Sequence, residues 1–384
     1  MMKQALVLGA GIMGLSAAWG LHRDGWSVRV IDQDPIPNPR GASVDHHRLI
    51  RHAYGTDAGY MRMVDDAYLA WDRLWADLGT AHYVPTGVLV LSQDGGARFQ
   101  DGRQTLLADG RAVEDLTPEA ALARYPFLDL TGLAAAYALA PGGVLLAERI
   151  VAALHRHLQA AGVVFERALV AAVDPARASL RLADGSERSA DLLVVAAGPW
   201  APRLLPGLRG RVTASRQVLV YLEPPPALRA AWAAAPMLLD LQSAEEAAAG
   251  GFYAVPPVAG TPLKVGDHRF SLTGDAEDPR SASAAEIEAI LAEVRPRLRD
   301  FAAYQVIGGA ACYYDVEPRE GFLLEPLGEA AWVMSGFSGH GFKFGPLLGL
   351  GLARAVAHPG VAAILPGWAA GQSAPDNALR EAWT

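Results

Sequence analysis

The feature that most restricts the fold is a glycine-rich turn, Gly9-x-Gly11-x-x-Gly14, which follows a short apolar segment. The apolar segment predicts a buried strand, the residues after the turn predict a helix, and residues 27–32 predict a second strand that ends at Asp32. In such a unit the first glycine forms a tight turn, the second lets a diphosphate approach the backbone, and the third lets helix and strand pack closely. The sequence therefore predicts a βαβ unit that binds a dinucleotide.

Asp32 restricts the kind of dinucleotide. A carboxylate at the end of the second strand can accept hydrogen bonds from ribose hydroxyls, and it disfavours the 2′-phosphate of NADP. Asp32 does not separate FAD from NAD. Other glycine-containing segments, near Gly198 and at residues 336–345, indicate further close approaches of the backbone to one large ligand. These segments favour FAD.

Composition excludes several classes of protein. The chain has 384 residues, of which 51% are hydrophobic and 19% charged, so a folded protein of two domains is expected. The net charge of -8 and the lack of a basic run argue against nucleic acid as a partner. The single cysteine, Cys312, permits no intramolecular disulfide and no cysteine-based metal cluster. We therefore expect no metal site.

The apolar stretch at residues 5–21 does not predict a signal peptide. It lacks a charged leading segment and a cleavage site, and the glycines of the turn interrupt it. Nowhere does the sequence reach about 18 uninterrupted apolar residues, the length that a membrane span needs. We expect a cytoplasmic monomer with no membrane segment, whose partners are a small amino acid substrate and O2.

The order of predicted elements indicates an interrupted α/β fold. Strands and helices of the nucleotide-binding kind occur at the start, middle and end, and strands of a different sheet lie between them. Residues 163–182 also predict a three-stranded meander. We expect a Rossmann-type FAD-binding domain and an inserted substrate domain on a mixed or antiparallel sheet. The FAD-binding domain would comprise residues 1–82, 148–215 and 311–384, and the substrate domain residues 83–147 and 216–310.

Lysine is rare in this chain. Only three of the 33 basic residues are lysines, namely Lys3, Lys264 and Lys343. Lysine and arginine do similar work on a solvated surface, whereas a confined site can require the compact ammonium group. Lys264 and Lys343 lie in weakly charged, glycine-rich and aromatic stretches. This context favours a role for both in a site, the alternative being an ordinary helix cap or ion pair.

Four blocks of sequence, in order along nearly the whole chain, resemble the monomeric sarcosine oxidase and N-methyltryptophan oxidase family of flavin amine oxidases. The blocks are the glycine turn, residues 48–55, residues 264–268, and Cys312-x-Tyr314-Asp315 followed by residues 336–344. A lone cysteine is ordinarily a small buried residue. The resemblance instead implies that Cys312 is joined by a thioether to the 8α-methyl carbon of FAD, and the Cys-x-Tyr-Asp form is closer to the N-methyltryptophan branch.

The resemblance also implies catalytic roles. Lys264 would lie near flavin N5 and activate O2, because a fixed cation stabilises superoxide as it forms. Lys343 and Arg51 would bind the substrate carboxylate, a task suited to an ammonium and a bidentate guanidinium. Arg48 would lie near the other face of the flavin and favour its anionic reduced form. For Arg48 and Arg51, a structural salt bridge to a phosphate or carboxylate stays open.

Further contacts implied by the resemblance are less specific. Tyr253 and Tyr314 would form walls of the substrate cavity, and His268 and His340 would tune the flavin, but ordinary half-buried tyrosines and core histidines explain them equally well. The backbone of Val170 would lie against adenine. The expected cofactor contacts are Gly9, Gly11, Ile12, Met13, Gly14, Asp32, Ser43, Arg48, Val170, Gly198, Trp200, Cys312, Gly339, Gly341, Phe342 and Lys343.

One departure from the family concerns the loop before Arg48. The sarcosine oxidases carry a histidine pair after the Gly-Ser of this loop, whereas this chain has Val44 there and its own pair, His46-His47, falls later. Sarcosine is therefore doubtful as the preferred substrate. We expect oxidation of the C–N bond of a secondary amino acid, with O2 as acceptor and H2O2 as product. The alternatives are a dehydrogenase that passes electrons to a quinone or carrier, and a flavin-binding redox sensor without turnover.

Overall fold

The computed structural model describes residues 2–241 and 251–384. The strands of the nucleotide-binding pieces form one twisted sheet, in which all neighbours pair in parallel except at the edge formed by β19. The spatial order in this sheet is β19 (Leu323–Pro326), β20 (Ala331–Ser335), β13 (Leu192–Val195), β1 (Gln4–Leu8), β2 (Ser27–Asp32) and β9 (Val164–Arg167). The expected Rossmann-type sheet is confirmed.

A second large sheet contains strands from the two inserted regions. Its neighbours pair antiparallel, except that β15 and β5 are parallel, so the sheet is mixed as expected. The spatial order is β18 (Gln305–Val316), β14 (Thr213–Glu223), β17 (Leu263–Asp267), β16 (Phe252–Val255), β15 (Met237–Leu241), β5 (Val88–Ser92), β7 (Ala135–Leu139) and β6 (Glu114–Leu116).

Two small sheets complete the strands. One joins β3 (Arg48–Arg51), β8 (Gly142–Leu145) and β4 (Tyr83–Pro85), and the other joins β10 (Val170–Asp174), β11 (Ser179–Leu182) and β12 (Glu187–Ser189). The predicted meander is wrong in its first strand. That segment forms β9, which pairs in parallel with β2 and packs Phe165 against the core, and β12 takes the third place in the meander.

Helices cover one face of the parallel sheet, the small sheet β10–β12 together with the short helix Ala201–Leu204 covers its other face, and helices cover the outer face of the mixed sheet. The helices are α1 (Ile12–Arg23), α2 (Ala58–Leu78), α3 (Ala97–Ala108), α4 (Pro118–Arg124), α5 (Ala147–Ala160), α6 (Ala201–Leu204), α7 (Arg229–Ala233), α8 (Ala284–Val294), α9 (Gly345–Ala357), α10 (Pro359–Ala369) and α11 (Asn377–Arg380). No helix in the described part of the chain is both long and apolar enough to cross a bilayer.

The crossing of α1 and α9 fixes the position of α1 and hence of the glycine turn before it. A Cβ atom on Gly349 of α9 would lie 2.3 Å from the carbonyl oxygen of Ser16, and one on Gly20 would lie 2.6 Å from the carbonyl oxygen of Gly349. The two backbones therefore touch directly, and only glycine fits at either position. Trp19 and Leu15 of α1 are fully buried around this contact.

We expect Gly349→Ala to lower the free energy of unfolding by about 1–3 kcal/mol, because the added methyl group must push the two helix backbones apart. Urea denaturation followed by far-UV circular dichroism measures this. The matched control is Gly360→Ala, in the first turn of α10, where nothing lies within 4 Å of an added Cβ atom. The control should leave stability unchanged or slightly higher. Equal stability of the two variants would contradict direct backbone contact at Gly349.

Candidate functional site

A cavity of about 360 Å³ lies at the carboxyl ends of β1, β2 and β13, where ligands bind in open parallel sheets. We call it the first cavity. Most of the predicted cofactor contacts line it, in agreement with one continuous binding surface. These are Gly9, Gly11, Ile12, Met13, Asp32, Ser43, Arg48, Val170, Gly198, Trp200, Gly339, Gly341 and Phe342.

The glycine turn has the geometry that a dinucleotide requires. Gly9 has φ of +103°, and a Cβ atom on it would lie 2.3 Å from the carbonyl oxygen of Ala196. A Cβ atom on Gly14 would lie 1.9 Å from the carbonyl oxygen of Gly9, so this glycine permits the helix to pack against the turn. Gly14 is therefore a packing residue, which explains why it does not line the first cavity.

Asp32 and Ser43 hold the loop around the first cavity. The Asp32 carboxylate accepts hydrogen bonds from the backbone N–H of Ala10 at 2.8 Å and from the side-chain amide of Asn38 at 2.9 Å. Burial raises the pKa of this carboxyl group above its ordinary value. Ser43 Oγ accepts from the backbone N–H of Ile12 at 2.9 Å, which joins the loop to the start of α1.

A larger cavity of about 590 Å³ lies between the mixed sheet and residues 338–343. We call it the second cavity. It adjoins the first, because Arg48, Tyr314, Gly339 and Phe342 line both. A ligand that extends from the glycine turn along the first cavity reaches the second at these four residues.

Lys264 projects from β17 into the second cavity and is almost completely buried. Its ammonium group donates to Asp45 Oδ2 at 2.6 Å and to the carbonyl oxygen of His47 at 2.7 Å. Arg48 also donates to Asp45 Oδ2, and it donates to the carbonyl oxygens of Ala42 and Val44 at 2.7 and 2.9 Å. Arg48 and Lys264 therefore share one carboxylate. For Arg48, the structural salt bridge that the sequence left open is present.

Asp45 is the residue that sequence reasoning missed. It lies in a segment rich in histidine and arginine, and the only signal was one carboxylate among basic residues. Burial alone would raise the pKa of Asp45, but Lys264 and Arg48 hold it well below its ordinary value. Burial lowers the pKa of Lys264 to about 8, against the opposing effect of Asp45. Burial together with Lys264 lowers the pKa of His47 to about 3, so this imidazole is neutral.

Arg51 and Lys343 form a second pair of cations in the same cavity. The Lys343 ammonium group donates to Tyr54 Oη at 2.8 Å and to the carbonyl oxygen of His340 at 2.8 Å, and the Arg51 guanidinium lies 4.9 Å from the centre of the Tyr54 ring. Among residues 2–241 and 251–384, no carboxylate forms an ion pair with either cation. Burial and the nearby Arg51 lower the pKa of Lys343 well below its ordinary value.

Aromatic residues wall the second cavity. Tyr253, Tyr314, His268 and His340 all line it. The rings of Tyr253 and His268 are 5.5 Å apart, and burial lowers the pKa of His268 to about 3, so this histidine is neutral. His340 packs edge-on against the ring of Tyr60 at 4.8 Å, which gives it a structural contact as well as a position in the cavity.

Cys312 lies in β18, directly opposite Gln217 of β14. Its thiol is buried, which raises its pKa, and Arg48 is its strongest electrostatic neighbour. The described linings of the two cavities include Gln217 and Tyr314 but not Cys312 itself. Cys312 lies two residues before Tyr314 on β18, so the two side chains are on the same face of the strand, beside the junction of the cavities.

Asp315, the last residue of the Cys-x-Tyr-Asp block, ties β18 to the glycine-rich loop. Its carboxylate accepts from Ser335 Oγ at 3.1 Å and from the backbone N–H of Gly336 at 2.8 Å. Burial raises its pKa to about 6. Gly339 follows with φ of +75° and approaches the ring of Tyr314 so closely that a Cβ atom would lie 2.2 Å from it.

Val44, at which the loop before Arg48 departs from the sarcosine oxidases, lines the first cavity.

A family model described as FAD dependent oxidoreductase matches residues 4–355. The chain belongs to this family. FAD is therefore the cofactor of the enzyme, and the first cavity, with its glycine turn and the buried carboxylate of Asp32, fits it.

Similar proteins with curated names include mouse peroxisomal sarcosine oxidase, which is 29% identical over 359 residues and covers 90% of each chain. N-methyl-L-tryptophan oxidase of Yersinia pestis (strain Pestoides F) is 28% identical over 351 residues, which cover 90% of this chain and 92% of the relative.

Solved structures share the fold of this chain over nearly its whole length. L-proline dehydrogenase from P. horikoshii superposes with a TM-score of 0.79 at 19% identity and covers 97% of each chain. Fructosyl peptide oxidase from Aspergillus nidulans superposes with a TM-score of 0.77 at 20% identity and covers 95% of this chain and 91% of that one.

Proposed function

We propose that this FAD-dependent enzyme oxidises the C–N bond of a secondary amino acid whose carboxylate binds to Arg51 and Lys343. The observation that carries the proposal is a pair of cations, the buried Lys343 and the partly buried Arg51, that form no ion pair with a described carboxylate and line a cavity that adjoins the cofactor cavity. Glu320, which lines the same cavity, opposes the lowering of the Arg51 pKa but forms no ion pair with it. Burying a cation without a counter-ion is costly, so two together favour an anionic ligand. An amino acid substrate supplies that anion.

Two features support an N-alkyl amino acid with a sizeable side chain. The curated relatives are named for sarcosine and N-methyl-L-tryptophan, both of which combine a secondary amine with a carboxylate. The second cavity, at about 590 Å³, has room for more than sarcosine, and aromatic residues line it. We therefore favour an apolar or aromatic substrate side chain.

In this proposal Asp32 and Val170 would hold the adenosine end of FAD, and Arg48, Tyr314 and Phe342 would hold its ring system. The cofactor would supply the acceptor for a hydride equivalent from the carbon next to the amine nitrogen, and two electrons would then go to the final acceptor. The chain orients the amine through the carboxylate clamp, beside the aromatic residues that line the second cavity. With O2 as acceptor, amine, O2 and water give a shortened amine, a carbonyl compound and H2O2.

The same placement supports the two discontinuous domains. The FAD-binding domain comprises residues 1–82, 148–215 and 311–384, and the substrate domain comprises residues 83–147 and 216–310. Strand β14 crosses the boundary between residues 215 and 216, and strand β18 crosses the boundary between residues 310 and 311. The two strands pair with each other along their whole length. They carry Cys312 and Tyr314 from the substrate sheet to the junction of the two cavities.

The electron acceptor depends on Lys264. A buried ammonium beside the flavin favours O2, since it stabilises superoxide. The ion pair with Asp45 favours the second candidate, a dehydrogenase with a quinone or carrier protein as acceptor, because the carboxylate offsets part of that charge. The fold does not decide between them, since proteins named as oxidases and as a dehydrogenase share it.

The substrate proposal predicts that N-methyl-L-tryptophan bleaches the flavin under anaerobic conditions and that its methyl ester does so only at much higher concentration. Lys343→Met and Arg51→Met should each raise the half-saturating concentration of the acid by about 10- to 100-fold, the effect of one charge-assisted hydrogen bond. Loss of flavin absorbance measures this for N-methyl and cyclic amino acids.

The methyl ester is the control, because it has no anion to bind and should respond little to either substitution. If wild-type enzyme handles acid and ester equally, the carboxylate clamp is wrong.

Covalent attachment of FAD predicts that the flavin of the wild-type enzyme stays with the protein after acid precipitation. Cys312→Ser should release it into the supernatant, because a hydroxyl group does not form the thioether. Flavin absorbance in the pellet and supernatant is the measurement, and mass spectrometry of the intact wild-type chain checks the added mass. Release of flavin from wild-type enzyme would remove the thioether from the proposal.

The role of Lys264 predicts that Lys264→Met slows reoxidation of the flavin by O2 at least tenfold more than it slows reduction by substrate, since only superoxide formation needs the cation. Stopped-flow absorbance separates the two half-reactions, and a peroxide assay in air identifies the product. Equal slowing of both half-reactions would assign Lys264 a structural role. Absence of peroxide in wild-type turnover would favour the dehydrogenase.

A further inference from the structure

We infer that Asp45 is a positioning residue that keeps the buried Lys264 charged and aims its remaining N–H group into the second cavity. An ammonium group has three N–H donors. Within the described residues two of them are used, one by the Asp45 carboxylate at 2.6 Å and one by the carbonyl oxygen of His47 at 2.7 Å. The orientation of Lys264 is therefore set from the loop before β3 and not from its own strand.

The contacts of Asp45 show that it is a built part of the site. Its Oδ1 accepts from Tyr221 Oη at 2.5 Å and from the backbone N–H of His46 at 2.6 Å, while Oδ2 accepts from Lys264 and Arg48. Its side chain is 5% exposed. Both carboxylate oxygens are thus fully engaged.

The backbone at Asp45 supports a specific need for this side chain. Its φ is +139°, a conformation that glycine adopts readily and other residues rarely do. A side chain that persists there has interactions that offset the strain. The ion pair with two buried cations is the interaction that glycine cannot supply.

No other described carboxylate contacts Lys264. The charged and titratable groups around it come from the loop before β3, from β3 itself and from strands β14, β16 and β18: Asp45, His47, Arg48, Tyr221, Tyr253 and Cys312. Arg48 opposes a charge on Lys264, and burial opposes it further, so Asp45 is the group that sustains it. On the proposed function, O2 reactivity then depends on Asp45 as well as on Lys264.

The chain offers a direct test, because it contains only three lysines. In the holoenzyme labelled with ¹³C lysine, each side chain gives its own NMR signal, and Lys264→Met assigns the signal of Lys264. In Asp45→Asn, the midpoint of the Lys264 titration should fall by about one to two pH units, a 10- to 100-fold weaker proton binding. This readout requires neither substrate nor O2, so its failure is distinct from failure of the proposed function.

A second variant separates charge from folding. Asp45→Gly removes the same carboxylate but relieves the backbone strain. It should therefore fold at least as well as Asp45→Asn and shift the Lys264 titration by a similar amount. Asp267→Asn is the matched control, since this carboxylate lines the same cavity but pairs with Arg269. It should leave the Lys264 midpoint unchanged. If neither Asp45 variant moves the midpoint, the inference is overturned.

The kinetic consequence provides an independent arm. In both Asp45 variants, the rate of flavin reoxidation by O2 should fall at a lower pH than in wild type, following the shifted titration of Lys264. The rate of flavin reduction by substrate should not follow that titration. A uniform loss of rate at every pH would assign Asp45 a purely structural role and overturn the inference.

Discussion

Four positive side chains line the second cavity, and the arrangement around them depends on how each charge is compensated. Burial opposes the charged form of every one of them, so each needs a counter-ion from the protein or from a ligand. Arg48 and Lys264 share the carboxylate of Asp45. Arg51 and Lys343 share no carboxylate among the described residues. This difference divides the four cations into a pair with a counter-ion from the protein and a pair that forms no ion pair with a described carboxylate.

The scaffold that holds these charges is rigid because its close approaches are made by backbone. Direct contact of α1 with α9 at Gly349 fixes the glycine turn, and the paired strands β14 and β18 cross from the substrate sheet to the junction of the cavities. Side chains on such elements are already in position to contact a ligand, so the protein does not have to rearrange when the ligand binds. The loop before β3, in contrast, holds its place through hydrogen bonds of Arg48 and Asp45 to its own backbone and to Lys264.

Much of the site could be predicted from sequence because its signals are local. A glycine turn between a strand and a helix commonly binds the diphosphate of a dinucleotide, and Asp32 follows it at the expected distance. The cofactor cavity could therefore be located from the sequence. The two retained lysines pointed to the second cavity, where both are found. The prediction that was wrong concerned which strand β9 pairs with. An edge strand of a parallel sheet and a meander strand have the same short apolar pattern, so sequence alone does not separate them.

The sequence by itself determined the α/β class, the FAD-binding turn and the short set of basic residues that serve the site, because periodicity and glycine spacing act over a few residues. Only the tertiary structure decided which cation has a counter-ion. Asp45 meets Lys264 across 219 residues of chain, and its strained φ of +139° is invisible in a list of residues. Long-range ion pairing depends on which strands lie side by side, and nothing in local sequence encodes that.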